Sequence, residues 1–472
     1  MGTQSLGSLE ITIMTDGVRR SRGGAKKTSP KPAADAPGLA ARRTAARLLA
    51  AVVDAKTSLD GLTDNDHGHP QFLALDMRDR ALVRAILTTA LRYRLTIEAL
   101  IAARLERPLP ANARSLSHIL HVAAAQMLFL DVPDSAAVDL AVTHAKSDPR
   151  TARFAALVNG VLREMARRKE RALPTVLAKT VDTPGWFFER LDAAYGEEVA
   201  KAIAAAHRTE APIDLTVKSD AAGWAEKLGG IVLPTGGVRL EALEGSVTQL
   251  PGFAEGKWWV QDAAASIPAQ MLGDISGQCV ADLCAAPGGK TAQLAQAGAK
   301  VTALELSPNR AKRLRSNLER LKLNAEVIVT DLFAFEPEEK FDAVLLDAPC
   351  SSTGTVRRHP DVLWTKGPAD IEKLARLQAR MLEKALTLVK PGGRIVFSNC
   401  SLDPQEGEQL YRDFLAAHPE VEPDPVTVGE LAFAGPFLTE HGGLRTTPAG
   451  LDLGAPARSG LDGFYAARMR LR

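Results

Sequence analysis

Between residues 40 and 169 the chain repeats apolar residues at steps of three and four, the spacing of one face of an α-helix. The pattern covers four segments, which read RRTAARLLAAVVD, RDRALVRAILTTALRYRLTIEALIAARL, LSHILHVAAAQMLFL and FAALVNGVLREMARRK. Each apolar face must be buried against a neighbour. The pattern therefore predicts an all-α bundle over residues 40–170, ending in a basic run of Arg167, Arg168, Lys169 and Arg171.

Residues 171–256 have a mixed pattern. A helix pair is predicted after Pro184, and the apolar runs PIDLTVK, GIVLP and WWVQD are predicted to be strands separated by Gly and Pro turns. We therefore expect a small α/β connector. Trp258 and Trp259, in the last of these runs, could stack on bases or pack in a core, and the pattern leaves both interpretations open.

Strands and helices alternate over residues 257–472. The predicted strands are CVADLCA, KVTALEL, AEVIVTD, FDAVLLDA, GRIVFSN and PVTV, with helices such as SPNRAKRLRSNLERL and ADIEKLARLQARMLEKALTLV between them. This alternation predicts a doubly wound, Rossmann-like α/β sheet. Because ligands bind at the carboxyl ends of parallel strands, side chains that follow these strands should meet at one site.

The composition describes an ordinary globular chain. With 472 residues, of which 46% are hydrophobic and 24% charged, two or three domains are expected. No apolar run reaches the roughly 18 residues of a membrane helix, and the start of the chain lacks a signal-peptide pattern. Four cysteines are too few for a disulfide scaffold, and their spacing matches no zinc site. We expect a cytoplasmic, monomeric protein without a metal ion.

The net charge of +2 hides an uneven distribution. Residues 1–39 are rich in Gly, Ser, Pro and Ala and are predicted to form a disordered basic tail, with Arg19, Arg20, Arg22, Lys26, Lys27 and Lys31. Such a tail could attract RNA, or it could be only a solvated segment.

Two cysteines occupy equivalent positions, because each follows an apolar run and opens a loop. Cys350 lies in DAPCSSTG and Cys400 in FSNCSLDP, so both thiols should face one crevice. One thiol there indicates covalent chemistry, and two indicate a cycle in which one attaches and the other helps it leave. Asp347 lies three residues before Cys350, at the end of the same apolar run.

A small, Gly-rich turn joins the strand CVADLC to the helix TAQLAQAG. It predicts a nucleotide-cofactor loop, since glycines allow close approach and the helix start offers free N–H groups; its residues are Cys284, Ala285, Ala286, Pro287, Gly288, Gly289 and Lys290. The spacing does not match dinucleotide or triphosphate motifs. Glu305 and Asp331, at the ends of the next two strands, are the expected acidic ligands of the cofactor.

Together these residues resemble the Fmu/Sun/Nop-type RNA cytosine-carbon-5 methyltransferases, in particular the RsmB-like enzymes with an N-terminal NusB-like domain. The resemblance covers about residues 40–472 and rests on seven ordered motifs: DLCAAPGGKT, Glu305, Asp331, LLDAPCSSTGTVRRHPDVLW, the PGG turn at Pro391, SNCSLDPQEGE and DGFYAARMRL. It implies S-adenosylmethionine as cofactor, small-subunit ribosomal RNA as substrate, a NusB-like RNA-binding bundle, an RNA-contacting role for the connector at residues 171–256, and an antiparallel edge strand at GFYAARMRL.

The resemblance also implies individual roles. Cys400 is then the attacking thiol and Cys350 assists its release, while Asp347 binds the base and adjoins the cofactor, and Lys290 reaches the same pocket. The family usually has Thr where this chain has Asn399. Because Asn can also donate a hydrogen bond, we expect this difference to adjust the function of the second cysteine loop and not to abolish it.

Several alternatives stay open. Cys279 and Cys284 could be packing residues, His359 could be a base or an ordinary loop residue, and Arg357 and Arg358 could contact phosphates. A DNA cytosine methyltransferase would attack with Cys350 and would not need SNCS. An RNA-binding ribosome-assembly factor with vestigial catalysis, or methylation of another RNA such as tRNA, are further possibilities.

Overall fold

The computed structural model of the protein describes residues 36–110, 113–241 and 245–472. The basic tail predicted to be disordered lies almost wholly outside the described residues. The chain divides into two units, residues 1–37 and residues 38–472, and the second contains every element described below. None of the helices in the described ranges is both long and apolar enough to cross a membrane.

The helical region, residues 39–179, confirms the expected all-α bundle. Its helices are α1 (Leu39–Val53), α2 (Leu59–Leu62), α3 (Pro70–Leu73), α4 (Met77–Arg92), α5 (Arg94–Ala102), α6 (Arg114–Phe129), α7 (Asp134–Ser147) and α8 (Ala155–Lys179). Helix α6 is buried along most of its length and forms the centre of the bundle. Helix α8 continues without a break past residue 170, the expected domain limit.

The helical periodicity of segment 78–105 is continuous, and the structure divides the segment at Tyr93. This residue has φ −107° and ψ 28°, outside the helical range. Its ring stacks on Phe129 with 3.9 Å between centroids, and its hydroxyl donates a hydrogen bond to the carbonyl oxygen of Arg208 at 3.0 Å. Tertiary contacts of one side chain therefore break a helix that periodicity alone predicts as continuous.

The connector, residues 185–260, contains the predicted helix pair and a small antiparallel sheet. Its elements are α9 (Gly185–Tyr195), α10 (Glu197–His207), β1 (Ile213–Val217), α11 (Ala221–Leu228), β2 (Ile231–Val232), β3 (Val238–Leu240) and β4 (Trp258–Val260). The strand order is β2-β3-β1-β4, so the small sheet extends past residue 256. The sequence patterns did not predict β3, which has only three residues.

The two tryptophans of β4 are packing residues. Trp258 and Trp259 are 0% and 4% exposed, and their indole N–H groups donate to the Pro251 carbonyl oxygen and to Gln261 Oε1. Buried indoles have no free face for a base. The interpretation in which they stack on RNA is therefore wrong.

The sheet region, residues 263–472, has the expected Rossmann-like fold. Its elements are α12 (Ala263–Gln270), β5 (Cys279–Leu283), α13 (Gly289–Gln296), β6 (Lys300–Glu305), α14 (Pro308–Leu321), β7 (Glu326–Val329), β8 (Phe341–Asp347), α15 (Val362–Thr365), α16 (Pro368–Leu388), β9 (Val389–Asn399), α17 (Glu408–Ala417), β10 (Val421–Pro423), β11 (Leu444–Thr446) and β12 (Phe464–Leu471). The strand order is β10-β12-β9-β8-β5-β6-β7. Strands β5 to β9 pair in parallel. Strands β6 and β7 are added on one side of β5, and β8 and β9 on the other side. The order of the strands therefore reverses between β5 and β8, and a crevice forms there.

The end of the sheet differs from two predictions. Strand β12 is antiparallel to β9 as expected, but β10 and β11 pair with it, so β12 is not the edge. The run PVTV at residues 425–428 is not a strand. The ladder ends with the bond from Asp424 N–H to the Arg468 carbonyl oxygen, because Pro425 has no N–H to continue it.

The PGG motif forms a bulge within β9. Phe341 of β8 pairs with Val389, while Ala343 pairs with Arg394, so β9 advances five residues where β8 advances two. Gly392 has φ 79°, a conformation that glycine adopts readily. The predicted turn is thus accommodated inside the strand.

Candidate active site

The loop that links β5 to α13 lies at the reversal point of the sheet. Cys284 has φ 65° and Gly288 has φ 103°, so the backbone turns sharply before α13 begins at Gly289. The Ala286 N–H donates to the Glu305 carboxylate at 3.3 Å, which ties the loop to the end of β6. The fold therefore presents loop backbone and the start of a helix to the crevice.

We expect Gly288→Ala to destabilise the protein by about 2 to 4 kcal/mol. The left-handed backbone disfavours a side chain, and an added Cβ would lie 2.5 Å from Cδ1 of the buried Leu314. Gly236→Ala is the matched control, because its φ is 85° with open space around it, and it should cost about 1 kcal/mol. Chemical denaturation of both variants measures the difference, and equal costs would contradict the packing argument.

A buried carboxyl beneath this loop was missed by the sequence analysis. Asp282 of β5 is fully buried, and its Oδ2 accepts a hydrogen bond from the Thr291 hydroxyl at 2.5 Å. Its Oδ1 has no partner among the described residues, and burial raises its pKa to about 7. The signal was present in the sequence, because an acid stands inside the apolar run CVADLC.

A cavity of about 510 Å³ opens beside the loop. Asp282, Lys290 and Asp347 line it together with the loop residues 284–289. The Lys290 ammonium lies 2.8 Å from Asp347 Oδ2, and the Ser398 hydroxyl donates to Asp347 Oδ1 at 2.9 Å. The glycine-lined wall and the unpartnered Asp282 oxygen fit a polar, nucleoside-bearing cofactor.

Cys350 and Cys400 meet at the mouth of β8 and β9, as their positions after adjacent strands predict. Their Sγ atoms are 3.4 Å apart, and both are free thiols. The contact is a hydrogen bond in which we assign Cys350 as donor. This bond, together with the Ser352 hydroxyl and the Lys290 ammonium, lowers the pKa of Cys400 below its ordinary value. The same bond and burial raise the pKa of Cys350 well above it.

The two predicted acidic ligands lie in different settings. Glu305 is buried at the end of β6 and accepts the N–H groups of Ala286 and Ser307. Asp331, beyond β7, is exposed, and its carboxylate caps a short 3₁₀ helix by accepting the Phe333 N–H at 3.0 Å. Glu305 thus adjoins the cofactor loop directly, and Asp331 lies one strand farther along the sheet.

Two arginines predicted to contact phosphate are engaged inside the protein. Arg357 is 2% exposed and donates to the Ser459 carbonyl oxygen, so the prediction for this residue is wrong. Arg358 lies between Asp262 at 2.6 Å and Asp462 at 3.1 Å, so two carboxylates already neutralise its charge. Their role is to fix the loop after Cys350.

His359 joins that loop to the helical region. Its Nδ1 lies 3.1 Å from Asp60 Oδ2, which raises the pKa of the imidazole. Nearby, Asp361 Oδ2 accepts the Leu59 N–H at 2.9 Å, and the Trp364 indole donates to the Leu91 carbonyl oxygen at 3.0 Å. The loop interpretation of His359 therefore fits, and the helical region supports the segment that follows Cys350.

The remaining cysteines fit the packing interpretation. Cys279 begins β5 at the opposite end of the sheet from the cavity, and its N–H donates to Asp342. Burial raises the pKa of Cys284 to about 12, so this thiol stays protonated.

The chain matches two family models. The model described as 16S rRNA methyltransferase RsmB/F matches residues 269–470, and the NusB family model matches residues 39–167. Residues 39–167 fall in the helical region, and residues 269–470 fall in the sheet region that carries the cavity and both cysteines.

Curated relatives and solved structures agree with these matches. Ribosomal RNA small subunit methyltransferase B of Vibrio cholerae serotype O1 is 36% identical over 76% of this chain and 87% of its own length. The protein of the same name from Xanthomonas campestris pv. campestris is 37% identical over 85% and 93%.

Among solved structures, a methyltransferase homolog protein from Pyrococcus horikoshii is 31% identical with a TM-score of 0.51, covering 61% of this chain and 94% of that one. The structure of PH0851, 23% identical, has the same fold with a TM-score of 0.68 over 92% and 99%. The chain therefore belongs to the RsmB/F family of 16S rRNA methyltransferases, which use S-adenosylmethionine, and it carries an N-terminal NusB family domain.

Proposed function

We propose that the protein methylates carbon 5 of a cytosine in small-subunit ribosomal RNA through a covalent adduct between Cys400 and carbon 6 of the base. The observation that carries this proposal is the contact of two free thiols, 3.4 Å apart, beside the Lys290–Asp347 pair. A methyltransferase of an oxygen or of an exocyclic nitrogen would need no thiol, and a second adjacent thiol would have no function there.

The chemistry of the base explains why a thiolate is needed. Carbon 5 of cytosine belongs to an aromatic ring and is a poor nucleophile. When the Cys400 thiolate bonds to carbon 6, the ring loses its aromaticity and carbon 5 becomes enamine-like. The bound S-adenosylmethionine supplies the electrophilic methyl group. Loss of the carbon 5 proton to a base then breaks the bond between sulfur and carbon 6 and restores the aromatic ring.

The neighbouring groups fit these steps. The Asp347 carboxylate can accept a hydrogen bond from the exocyclic amine of cytosine. The Lys290 ammonium, 2.8 Å from Asp347 Oδ2, balances the charge of the carboxylate. Cys350 can donate a hydrogen bond to the Cys400 sulfur as it leaves, because its pKa is raised and it stays protonated. The two thiols thus have different tasks.

The cofactor roles of individual residues are part of the proposal. The backbone of residues 284–289 and the start of α13 form one wall of the cofactor site, with Lys290 and Asp347 at its substrate side. Glu305 and Asp331 supply carboxylates from the ends of successive strands.

Glu305→Ala should weaken binding of S-adenosylmethionine by about 1 to 3 kcal/mol, because it strands buried N–H groups of the loop and removes a ligand. Asp331→Ala should weaken binding as well. Glu326→Ala is the control, since Glu326 is an exposed residue at the amino end of β7, away from the loop. Calorimetric titration of the free protein measures all three. Unchanged affinity in the first two variants would place the cofactor elsewhere.

Two rival functions give different results in one experiment. The protein is incubated with unmodified 16S ribosomal RNA, or with tRNA, and methyl-labelled S-adenosylmethionine, and the RNA is digested to nucleosides. We expect 5-methylcytidine from the ribosomal RNA, at one position in bisulfite sequencing. Label in tRNA would favour another RNA substrate. An absence of label, with RNA binding retained, would favour a ribosome-assembly factor.

We infer further that the protein acts in the cytoplasm as a monomer, where its RNA substrate is assembled. We also propose that the chain comprises a tail (1–39), a helical domain (40–170), a connector (171–256) and a catalytic domain (257–472).

A further inference from the structure

A buried carboxylate lies behind the two thiols. Glu406 follows Cys400 by six residues, and its side chain is 0% exposed. Its Oε1 accepts the Ser351 N–H at 2.9 Å and the Gln378 side-chain N–H at 2.8 Å, and its Oε2 accepts the Ser351 hydroxyl. Burial raises the pKa of Glu406, and these partners oppose that effect, because each of them donates a hydrogen bond and so favours the ionised carboxylate.

The backbone of Glu406 makes a second link. Its carbonyl oxygen accepts the Asn399 side-chain N–H at 2.6 Å, and Asn399 Oδ1 accepts the Ser401 N–H at 3.0 Å. Ser351 follows Cys350 in the chain and Asn399 precedes Cys400. Glu406 therefore contacts the chain neighbours of both cysteines, Ser351 and Asn399.

The charges around the two thiols are also unequal. The hydrogen bond to Cys400 and burial raise the pKa of Cys350, and the Glu406 carboxylate adds to this; the hydrogen bond from Cys350 lowers the pKa of Cys400, and the Lys290 ammonium adds to that. Asp347 opposes the effect of Lys290 at Cys400, so Lys290 alone does not distinguish the thiols. The Glu406 carboxylate lies on the Cys350 side, where it accepts hydrogen bonds from the N–H and the hydroxyl of Ser351, and low-dielectric surroundings strengthen the influence of its charge.

We propose that Glu406 is a positioning residue that holds the two cysteine loops at contact distance and, through its charge, assigns attack to Cys400 and keeps Cys350 protonated. The assignment of attack to Cys400 rests on the proposed function. The geometry that carries it does not depend on the identity of the RNA base.

The test compares alkylation of the two cysteines in the full-length protein without RNA or cofactor. Iodoacetamide labelling is followed by peptide mass spectrometry across pH. In the native protein Cys400 should react at lower pH than Cys350. In Glu406→Gln, which keeps the shape and removes the charge, the ratio of the two rates at neutral pH should fall several-fold, because Cys350 loses a neighbouring negative charge that favours its protonated form.

Two further variants separate charge from geometry. Ser351→Ala removes the hydroxyl that donates to Glu406 but keeps the Ser351 N–H bond and the charge of Glu406. We therefore expect kcat to fall, while KM and the midpoint of the pH–rate profile stay near native values. Glu430→Gln is the control, because Glu430 pairs with Arg468 and contacts neither cysteine loop; its alkylation ratio should be native.

An unchanged alkylation ratio in folded Glu406→Gln, or a shift equal to that of Glu430→Gln, would overturn the inference. Should Glu406→Gln fail to fold, a native kcat in Ser351→Ala would overturn it instead. Because alkylation requires no cytosine, a nucleoside product other than 5-methylcytidine would contradict the proposed function without altering this result.

Discussion

Replacing Cys400 with alanine should lower methyl transfer by at least about 10³-fold, the usual effect of losing the nucleophile in enzymes that form covalent intermediates. Without the thiolate, carbon 5 of the base stays aromatic. The loss should appear in kcat, because Cys400 does not line the cofactor cavity and its side chain is partly exposed at the strand end. Affinities for S-adenosylmethionine and RNA should stay within a few-fold of native.

Release of tritium from RNA labelled at carbon 5 of cytosine measures this step. Cys279→Ala is the matched control, since it removes a thiol at the opposite end of β5 and should retain native turnover. The pH dependence gives a second readout. Because the pKa of Cys400 is lowered, native activity should persist below the pH at which an ordinary thiol ionises. Near-native turnover in Cys400→Ala would remove the thiol-addition mechanism.

Cys350→Ala should trap the enzyme on its RNA. Cys350 is the hydrogen-bond partner of the Cys400 sulfur, at 3.4 Å, and its loss leaves the departing thiolate without its donor. Addition and methyl transfer can still occur, so turnover should fall while a covalent protein–RNA species accumulates.

That species should survive denaturing electrophoresis and disappear in the double variant Cys350→Ala/Cys400→Ala. A reversed pattern is equally observable. If Cys350 attacks, as in DNA cytosine methyltransferases, Cys350→Ala forms no adduct and Cys400→Ala forms one. That result would exchange the roles of the two thiols.

Much of this architecture follows from local pattern. The strands that carry the site are apolar runs that end in polar or small residues, so β5, β6, β8 and β9 and the loops after them were predictable. The meeting of Cys350 and Cys400 also follows, because equivalent positions at the ends of neighbouring parallel strands must lie close together.

What the sequence could not supply depends on partners distant in the chain. The sequence around Arg357 predicts an exposed cation, whereas in the structure the segment around Ser459 packs over this side chain. Glu406 stands in a loop without periodicity, and only its contact with Ser351, 55 residues earlier, reveals its place. Helix α4 ends before Tyr93, because the Tyr93 ring stacks on Phe129 and its hydroxyl donates to the Arg208 carbonyl oxygen. In each case a tertiary contact overrides a local preference.

The central claim, attack by Cys400 on a cytosine, is tested most directly in the native protein with 16S ribosomal RNA that contains 5-fluorocytidine. Fluorine at carbon 5 cannot be lost as the proton is, so the adduct stays after methyl transfer. Nuclease and protease digestion followed by tandem mass spectrometry then identifies the linked residue. We expect a methylated fluorocytidine bonded to Cys400. A nucleotide bonded to Cys350, or no adduct while the same RNA is methylated, would contradict it.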